Sequence, residues 1–270
     1  MKIVKKYRDG ILIISASIVG AVLAYLLQAH LGFNSVIGAS VTGIIFGILF
    51  PSIALPGYMG AFVGMVAGRV IGSIFWLVCA AIIAALLFIF SKRYFKGFGG
   101  KLGFLAFISI LLTVSVSQLF NIKVVTLPIK MPTNIFLTIV FILTGAIIAY
   151  LTNLIDERYI FKFIKTKYHN RVLGSAMIGL VVGLVFPVIF KNIGLDLAVL
   201  SFAASFVGMT SHKLFKYDWE YLTAGAIAGL VFAISGSFFP GFGGKAGSIA
   251  FVAVVIFVEI YLFIKKELSS

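Results

Sequence analysis

Acidic residues, cysteine and histidine are scarce in this chain of 270 residues. It contains 8 Asp and Glu, 1 cysteine and 3 histidines, against 22 Lys and Arg. The single cysteine, Cys79, excludes an intrachain disulfide and a cysteine-based metal cluster. The histidines lie far apart, and none belongs to a His-x-x-His or His-x-x-x-His pattern. We therefore expect no bound metal and no cofactor.

The shortage of acids also argues against catalysis. All of them fall in predicted loops or tails except Glu259, and none is predicted at the bilayer midplane, where proton-coupled carriers and cation pumps usually place acids. Phosphatases and prenyl-transfer enzymes of membranes need carboxylates or histidines. The two GGK tripeptides are not nucleotide P-loops, because that motif needs glycine at Phe95 or Phe239 and a hydroxyl after the lysine. We expect a protein that is not an enzyme.

Polar surface is the other shortage, since 61% of the residues are hydrophobic and 11% are charged. Apolar runs of about twenty residues recur along the chain, which is typical of a multi-span α-helical membrane protein. The first, Ile11–Leu27, is expected to be a mature helix and not a signal peptide. The net charge of +14 is attributed to basic residues at cytoplasmic helix ends, without a nucleic-acid partner. The expected partner is the lipid bilayer, and the expected location is the plasma membrane.

Four sequence anchors occur twice in the same order, which predicts an internal duplication. The most extensive is FKGFGGKLGFLAF at 95–107, which returns as FPGFGGKAGSIAF at 239–251 with nine of thirteen positions identical. The others are GAVLAYL and GAIIAYL, IGASVTGIIFGILFP and LGSAMIGLVVGLVFP, and AFVGM and SFVGM, at offsets of 125, 136 and 144. We divide the chain into a first half, residues 1–125, and a second half, residues 126–270, which together form one membrane domain.

Each half holds five apolar segments, of which the third is short. The predicted segments are 11–29, 35–51, 57–72, 73–91, 102–120, 134–155, 172–190, 196–212, 221–238 and 246–264. If all ten cross and the amino terminus is inside, 17 Lys and Arg lie inside and 5 outside; if the third segments are re-entrant, the tally is 12 and 10. The positive-inside rule favours ten crossings. An odd number per half predicts inverted repeats, with both termini cytoplasmic.

The candidate site includes four basic residues that pair between the halves at an offset of 144. Lys101 pairs with Lys245, and Arg69 pairs with Lys213. The predicted topology places one member of each pair on each face. Both lysines stand where a fifth helix begins, so free backbone N–H groups and close approach at the preceding glycines favour an anion there. These glycines are Gly99, Gly100, Gly243 and Gly244. The alternative is structural: lysines at helix ends snorkel, and glycines permit tight turns.

The short third segments supply the remaining candidates. Phe62 and Phe206 are matched apolar candidates for gates or site walls, and Gly64 and Gly208 are matched small residues. Gly60, Gly64, Gly68 and Gly72 recur every four residues, which predicts one glycine face on a helix. Close helix packing is the alternative reading of that face. Hydroxyl residues that could line a polar path are Ser40, Thr42, Ser109, Thr113, Ser205, Thr210, Ser235 and Ser237.

These features predict a membrane transport protein, either a secondary transporter or a channel, that moves a small anionic solute between two inverted repeats. Cations at both predicted mouths and the lack of acids in the middle favour an anion. One alternative is a channel for a small neutral solute. Another is an anionic-lipid flippase or a membrane subunit without transport activity. A homo-oligomer is compatible with the sequence.

Overall fold

The computed structural model describes residues 2–120, 134–156, 160 and 171–267, and this part of the chain is all-helical. It contains ten helices of eleven residues or more. They are α1 (Lys2–Leu31), α2 (Ser35–Leu49), α3 (Ala54–Gly64), α4 (Ile74–Phe90), α5 (Lys101–Leu119), α6 (Ile135–Ile155), α7 (Val172–Ile189), α8 (Lys191–Gly208), α9 (Asp218–Ser235) and α10 (Lys245–Glu267). One further helical turn, Gly68–Ile71, follows α3.

Seven of these helices are long and apolar enough to cross a membrane: α1, α4, α5, α6, α7, α8 and α10. The coarse prediction of an all-helical protein compatible with several membrane passes is confirmed. The apolar α2 has 15 residues and α3 has 11, so at 1.5 Å per residue they are about 22 and 16 Å long. The helix α9 begins with two acids, Asp218 and Glu220.

The third segment of each half differs from its predicted bounds. In the first half the helix ends at Gly64, and the backbone turns before the short helical turn that begins at Gly68. Gly72 has a positive φ of 74°. The predicted continuous glycine face is therefore wrong beyond Gly64. In the second half, α8 starts at Lys191 and ends at Gly208, several residues earlier than predicted at each end.

The placement of several acids also differs from the prediction. Asp196 lies within α8, while Asp218 and Glu220 form the first turn of α9. Glu220 is buried and accepts hydrogen bonds from the backbone N–H groups of Lys216 and Tyr217. This is a capping contact, which satisfies free donors at a helix start. Asp156 caps the end of α6 and is fully buried. Apolar periodicity did not reveal these positions because a cap is a local hydrogen-bond feature.

The helices of the two halves pack in the same order. Helix α1 packs on α2, α3 and α4, and α6 packs on α7, α8 and α9. Helix α5 packs on α3 and α4, and α10 packs on α8 and α9. Between the halves, α2 packs on α7 and α5 packs on α10. The two large contacts between halves thus join helices with the same position in each half.

Glycines allow α2 and α7 to pack closely and antiparallel. The side chain of Leu173 occupies the space beside Gly47, and Ile37 lies beside Gly183. Between these contacts, Ser40 faces Gly179. Just before the start of α2, the side-chain amide of Asn34 donates to the carbonyl of Gly183 at 2.8 Å. Residue numbers therefore rise along α2 where they fall along the contacting part of α7, so the two helices are antiparallel. Small residues at such an interface let two backbones approach closely.

The first turns of α5 and α10 meet in the same antiparallel sense. A Cβ on Gly103 would overlap the Cα of Gly247, and a Cβ on Gly247 would overlap the Cα of Gly103. Gly100 lies against Ala250, and Gly244 lies against Ala106 in the matched contact. Only residues without a side chain fit at the crossing point, so the backbones of the two helix starts touch there.

Candidate functional site

The two GFGGK loops have the same backbone conformation. Phe95 and Phe239 both have a φ of 50°, which is unusual for a residue with a side chain. Gly97 and Gly241 have φ values of 86° and 82°, and the glycines that precede the lysines, at 100 and 244, have values of 77° and 78°. Glycine adopts this region without strain. The repeated sequence therefore encodes a repeated loop shape.

Each loop contacts the end of the third helix of the other half. Ala67, just after α3, donates its N–H to the carbonyl of Gly241 at 2.8 Å. Ser211, just after α8, donates to Gly97 at 2.9 Å. The candidate glycines Gly99 and Gly243 lie against the carbonyls of Phe206 and Phe62, respectively. The loops therefore bring the predicted glycines and phenylalanines together.

The loop contact at the end of α8 has a hydrogen bond to a side chain that the matched contact at the end of α3 cannot form. The N–H of Gly99 donates to Oγ1 of Thr210 at 3.2 Å. The matched residue in the first half is Val66, which has no hydroxyl. Arg171 also binds the end of α8, through the carbonyls of Gly208 at 3.1 Å and Thr210 at 2.5 Å. At the end of α3, the carbonyl of Val66 accepts one bond, of 3.3 Å, from Gln28.

Lys101 and Lys245 both bind backbone carbonyls of their own half. The Nζ of Lys101 donates to the carbonyls of Ser91 and Tyr94, the latter at 2.6 Å, and Lys245 donates to the carbonyl of Gly236. These carbonyls follow α4 and α9, where a cation stabilises the negative helix end. The structure thus gives both lysines a hydrogen-bonded contact with the end of a neighbouring helix. The carboxylate of Asp196 also lies within electrostatic range of Lys245.

The other predicted candidates lie farther out or serve packing. Arg69 and Lys213 are exposed, each a few residues beyond the end of a third helix. Gly64 lies against the carbonyl of Ala21 in α1. Gly208 lies against the carbonyl of Ala149 in α6. In both cases the glycine permits close packing of the third helix on the first.

Phe62 and Phe206 do meet, and two further rings join them. Their ring centroids are 4.8 Å apart, with a tilt of 55°. Tyr58 lies 4.3 Å from Phe62, and Phe202 lies 4.6 Å from Phe206. The diagonal distances, Tyr58–Phe206 and Phe62–Phe202, are 6.1 and 6.0 Å. We call these four buried rings the ring quartet; it fills the space between α3 and α8.

No known family model matches this chain. No curated protein and no solved structure matches it either. The function must therefore be inferred from the site itself.

A chain of hydroxyls leads away from the ring quartet. The hydroxyl of Ser205 donates to the carbonyl of Phe202 at 2.7 Å. Because its one proton is used there, Ser205 accepts from Ser175, whose Oγ lies 2.8 Å away. Ser175 in turn accepts from Tyr58, at 3.2 Å. The fixed carbonyl acceptor thus orients all three hydroxyls.

Two buried hydroxyls in helices α2 and α8 have no hydrogen-bond partner in the described part of the chain. They belong to Ser40 in α2 and Ser201 in α8, both fully buried. The Oγ of Ser40 and the ring edge of Phe202 both border the space where a Cβ on Gly179 would stand. Several other predicted path hydroxyls bond carbonyls of their own helices, among them Thr42, Ser109, Thr113 and Ser235.

Sequence reasoning missed Tyr58, Phe202 and Ser175. One signal was available for two of them, because the offset of 144 aligns Tyr58 with Phe202, four residues before the predicted pair Phe62 and Phe206. Four residues is one helical turn, so both aromatics of each helix lie on the same face. No sequence pattern singled out Ser175, because its partners come from two other helices.

Proposed function

We propose that the protein is a membrane transport protein that moves a small anion along a path between two inverted five-helix halves. The observation that carries this proposal is the reciprocity of contacts between the halves. If residue i of one half contacts residue j of the other, the matched residues of i and j also contact each other, as a two-fold axis requires. Examples are Gly47 with Leu173 and its match, Ile37 with Gly183.

The antiparallel packing of matched helices supports inversion. Both α2 with α7 and the starts of α5 and α10 meet antiparallel. A two-fold axis that relates antiparallel helices runs perpendicular to them. If the helices cross the membrane, that axis lies in the membrane plane, which is the symmetry of inverted-repeat transporters.

The loop contacts support ten crossings. With ten crossings, Gly97 and Ser211 lie on the inner side of the point where α5 and α10 touch, and Ala67 and Gly241 lie on its outer side. With re-entrant third segments, Gly97 and Ser211 would lie on opposite sides of the membrane, and so would Ala67 and Gly241. The backbone hydrogen bonds of 2.9 and 2.8 Å within these pairs favour the first arrangement. In it, both termini lie in the cytoplasm.

The proposal that the solute is an anion rests on electrostatics. The starts of α5 and α10 bring two positive helix ends to the centre of the molecule, next to the ring quartet. Positively charged Arg69 and Lys213 lie beyond the ends of α3 and α8, on opposite sides in the ten-crossing topology. Both features favour negative charge along the path.

A channel for a small neutral solute is the second candidate. It is favoured by the composition of the ring quartet and its surroundings, where aromatic rings and serine hydroxyls meet without a charged side chain among them. The carbonyl contacts of Lys101 and Lys245 also occupy N–H donors that an anion would otherwise use.

Purified full-length protein in liposomes separates the candidates. We expect protein-dependent flux of small anions such as chloride, nitrate or iodide, measured with an anion-sensitive dye, and no movement of labelled phospholipid between leaflets. Liposomes without protein are the control. Flux of urea or glycerol without anion flux would support the neutral channel and overturn the anion proposal. Lipid scrambling without solute flux would support the lipid-handling alternative and overturn transport of a solute.

A further inference from the structure

We infer that the ring quartet and the hydroxyls beside it form a binding subsite for monovalent anions in the proposed path, and that it discriminates against divalent anions. The inference rests on the proposed function and deepens it. The subsite consists of the ring edges of the quartet and the unpartnered hydroxyl of Ser40, while the protons of Tyr58, Ser175 and Ser205 are donated along their own chain.

The unpartnered hydroxyl is the observation that points to a ligand. A buried hydroxyl without a partner costs about 1–3 kcal/mol. Ser40 is fully buried, and its Oγ faces Gly179 across the α2–α7 contact, beside the ring edge of Phe202. The matched position in the second half is Ala176, so the fold accepts an apolar side chain there. A ligand that accepts the proton of Ser40 accounts for a hydroxyl at this position.

The ring edges supply the second attraction for an anion. The edge of an aromatic ring carries partial positive charge, and its face carries partial negative charge. In the quartet the rings are tilted relative to one another at angles between 55° and 79°. Rings at such angles meet edge to face, so ring edges as well as ring faces lie within the cluster. The rings touch, so an anion enters only when at least one of them rotates.

The quartet contains no cation, and this sets the selectivity of the subsite for monovalent over divalent anions. Hydroxyls and ring edges are neutral, and neutral groups offset only part of the cost of removing an anion from water. That cost rises steeply with the charge of the ion, so a neutral site accepts a monovalent anion more readily than sulfate. Asp156 lies within electrostatic range of Tyr58. Its carboxylate borders Gly174 in the first turn of α7, the same turn that Arg171 caps.

The test combines flux and binding in the full-length protein. In liposomes at constant ionic strength, we expect chloride, nitrate and iodide to move roughly tenfold faster than sulfate. In detergent, the melting temperature in sodium iodide relative to that in sodium sulfate of equal ionic strength should be higher for the wild-type protein than for a variant that lacks the subsite. A ligand that binds the native state stabilises it, whereas the general stabilising effect of sulfate is common to both proteins.

The key variant is Ser40→Ala, which copies the matched residue Ala176. Removal of an unpartnered hydroxyl should leave the melting temperature without anion unchanged or raised. It should weaken the response to iodide roughly tenfold in concentration. A purely structural serine would instead lower the melting temperature and leave the iodide response unchanged. Ser109→Ala is the control, because Ser109 bonds the carbonyl of Ala106 within its own helix.

Tyr58→Phe provides a second variant if Ser40→Ala does not fold, since it copies the matched residue Phe202. The proton of Tyr58 is donated to Ser175 in this structure and reaches an anion only when the Tyr58 ring rotates, so its loss should also weaken the iodide response. Equal flux of sulfate and chloride, or an unchanged iodide response in both variants, would overturn the subsite while the transport proposal stands. No flux of any anion from the wild-type protein would overturn the proposed function itself, and with it any transport role of the subsite.

Discussion

At the residue scale, the two lysines of the GFGGK loops combine a structural contact with a formal charge. Lys101 binds the carbonyls of Ser91 and Tyr94, and Lys245 binds that of Gly236. A lysine that only closes a helix end acts through short-range hydrogen bonds. A lysine that also attracts anions acts through its long-range field, which salt screens. Ionic strength therefore separates the two roles.

We predict that the double variant Lys101→Met, Lys245→Met lowers anion flux on the order of tenfold at low salt, because it removes positive potential from the path. The loss should shrink at about 0.5 M salt, where the Debye length is only a few ångströms. Flux is measured in liposomes at both salt concentrations. Lys96→Met, an exposed lysine of the same loop, is the control. A loss of equal size at both salt concentrations would instead indicate a structural role alone.

At the element scale, glycine decides which helices touch. The α2–α7 contact and the crossing of α5 and α10 depend on positions where a Cβ would overlap a neighbouring atom. Helix ends are held by contacts from the other half, as with Gly97 and Ser211. These contacts fix the position of α3 and α8, and hence of the ring quartet. The third helices are therefore positioned by neighbours and not by their own length.

We predict that Gly103→Ala or Gly247→Ala destabilises the protein by about 1–3 kcal/mol, because the new methyl group overlaps a backbone atom of the opposing helix. The melting temperature measures this effect. Gly10→Ala in α1 is the matched control, because a Cβ there has nothing within 4 Å. Alanine should be neutral or stabilising by up to about 1 kcal/mol at that position. Similar melting temperatures for all three variants would contradict a tight crossing.

At the scale of the whole molecule, the proposed inversion of the halves determines which loops share a side of the membrane. The loops around Phe95 and Phe239 have the same conformation, and their phenylalanines are equally exposed, at 51% and 49%. Local chemistry therefore cannot distinguish them in a labelling experiment. Only the side of the membrane on which each lies can do so.

We predict that Phe95→Cys and Phe239→Cys react with an impermeant thiol reagent from opposite sides of the membrane. The background replaces the native Cys79 with alanine. Lys213→Cys should react from the same, cytoplasmic, side as Phe95→Cys, and Arg69→Cys from the same side as Phe239→Cys. Mass shifts in intact cells and in inverted vesicles are the readout. Reaction of both phenylalanine positions from one side would exclude inverted halves.

Prediction from sequence worked where the signal is carried by many residues. Apolar runs of helical length gave the helices, because each run sums the free energy of many buried side chains. The repeated GFGGK loops were found because their glycines are required by positive φ values at Gly97, Gly100, Gly241 and Gly244. The end of α3 at Gly64 was missed, since it depends on contacts with Gly241 in the other half.

The amino-acid sequence by itself determined an apolar helical chain with a repeated loop and paired phenylalanines, since composition, periodicity and glycine placement are local properties. Only the tertiary structure brought Tyr58, Ser175 and Ser205 into one hydrogen-bonded chain and left Ser40 without a partner in the described part of the molecule. These residues come from four different helices. Their proximity depends on how glycines allow those helices to pack, and no stretch of sequence encodes that distance.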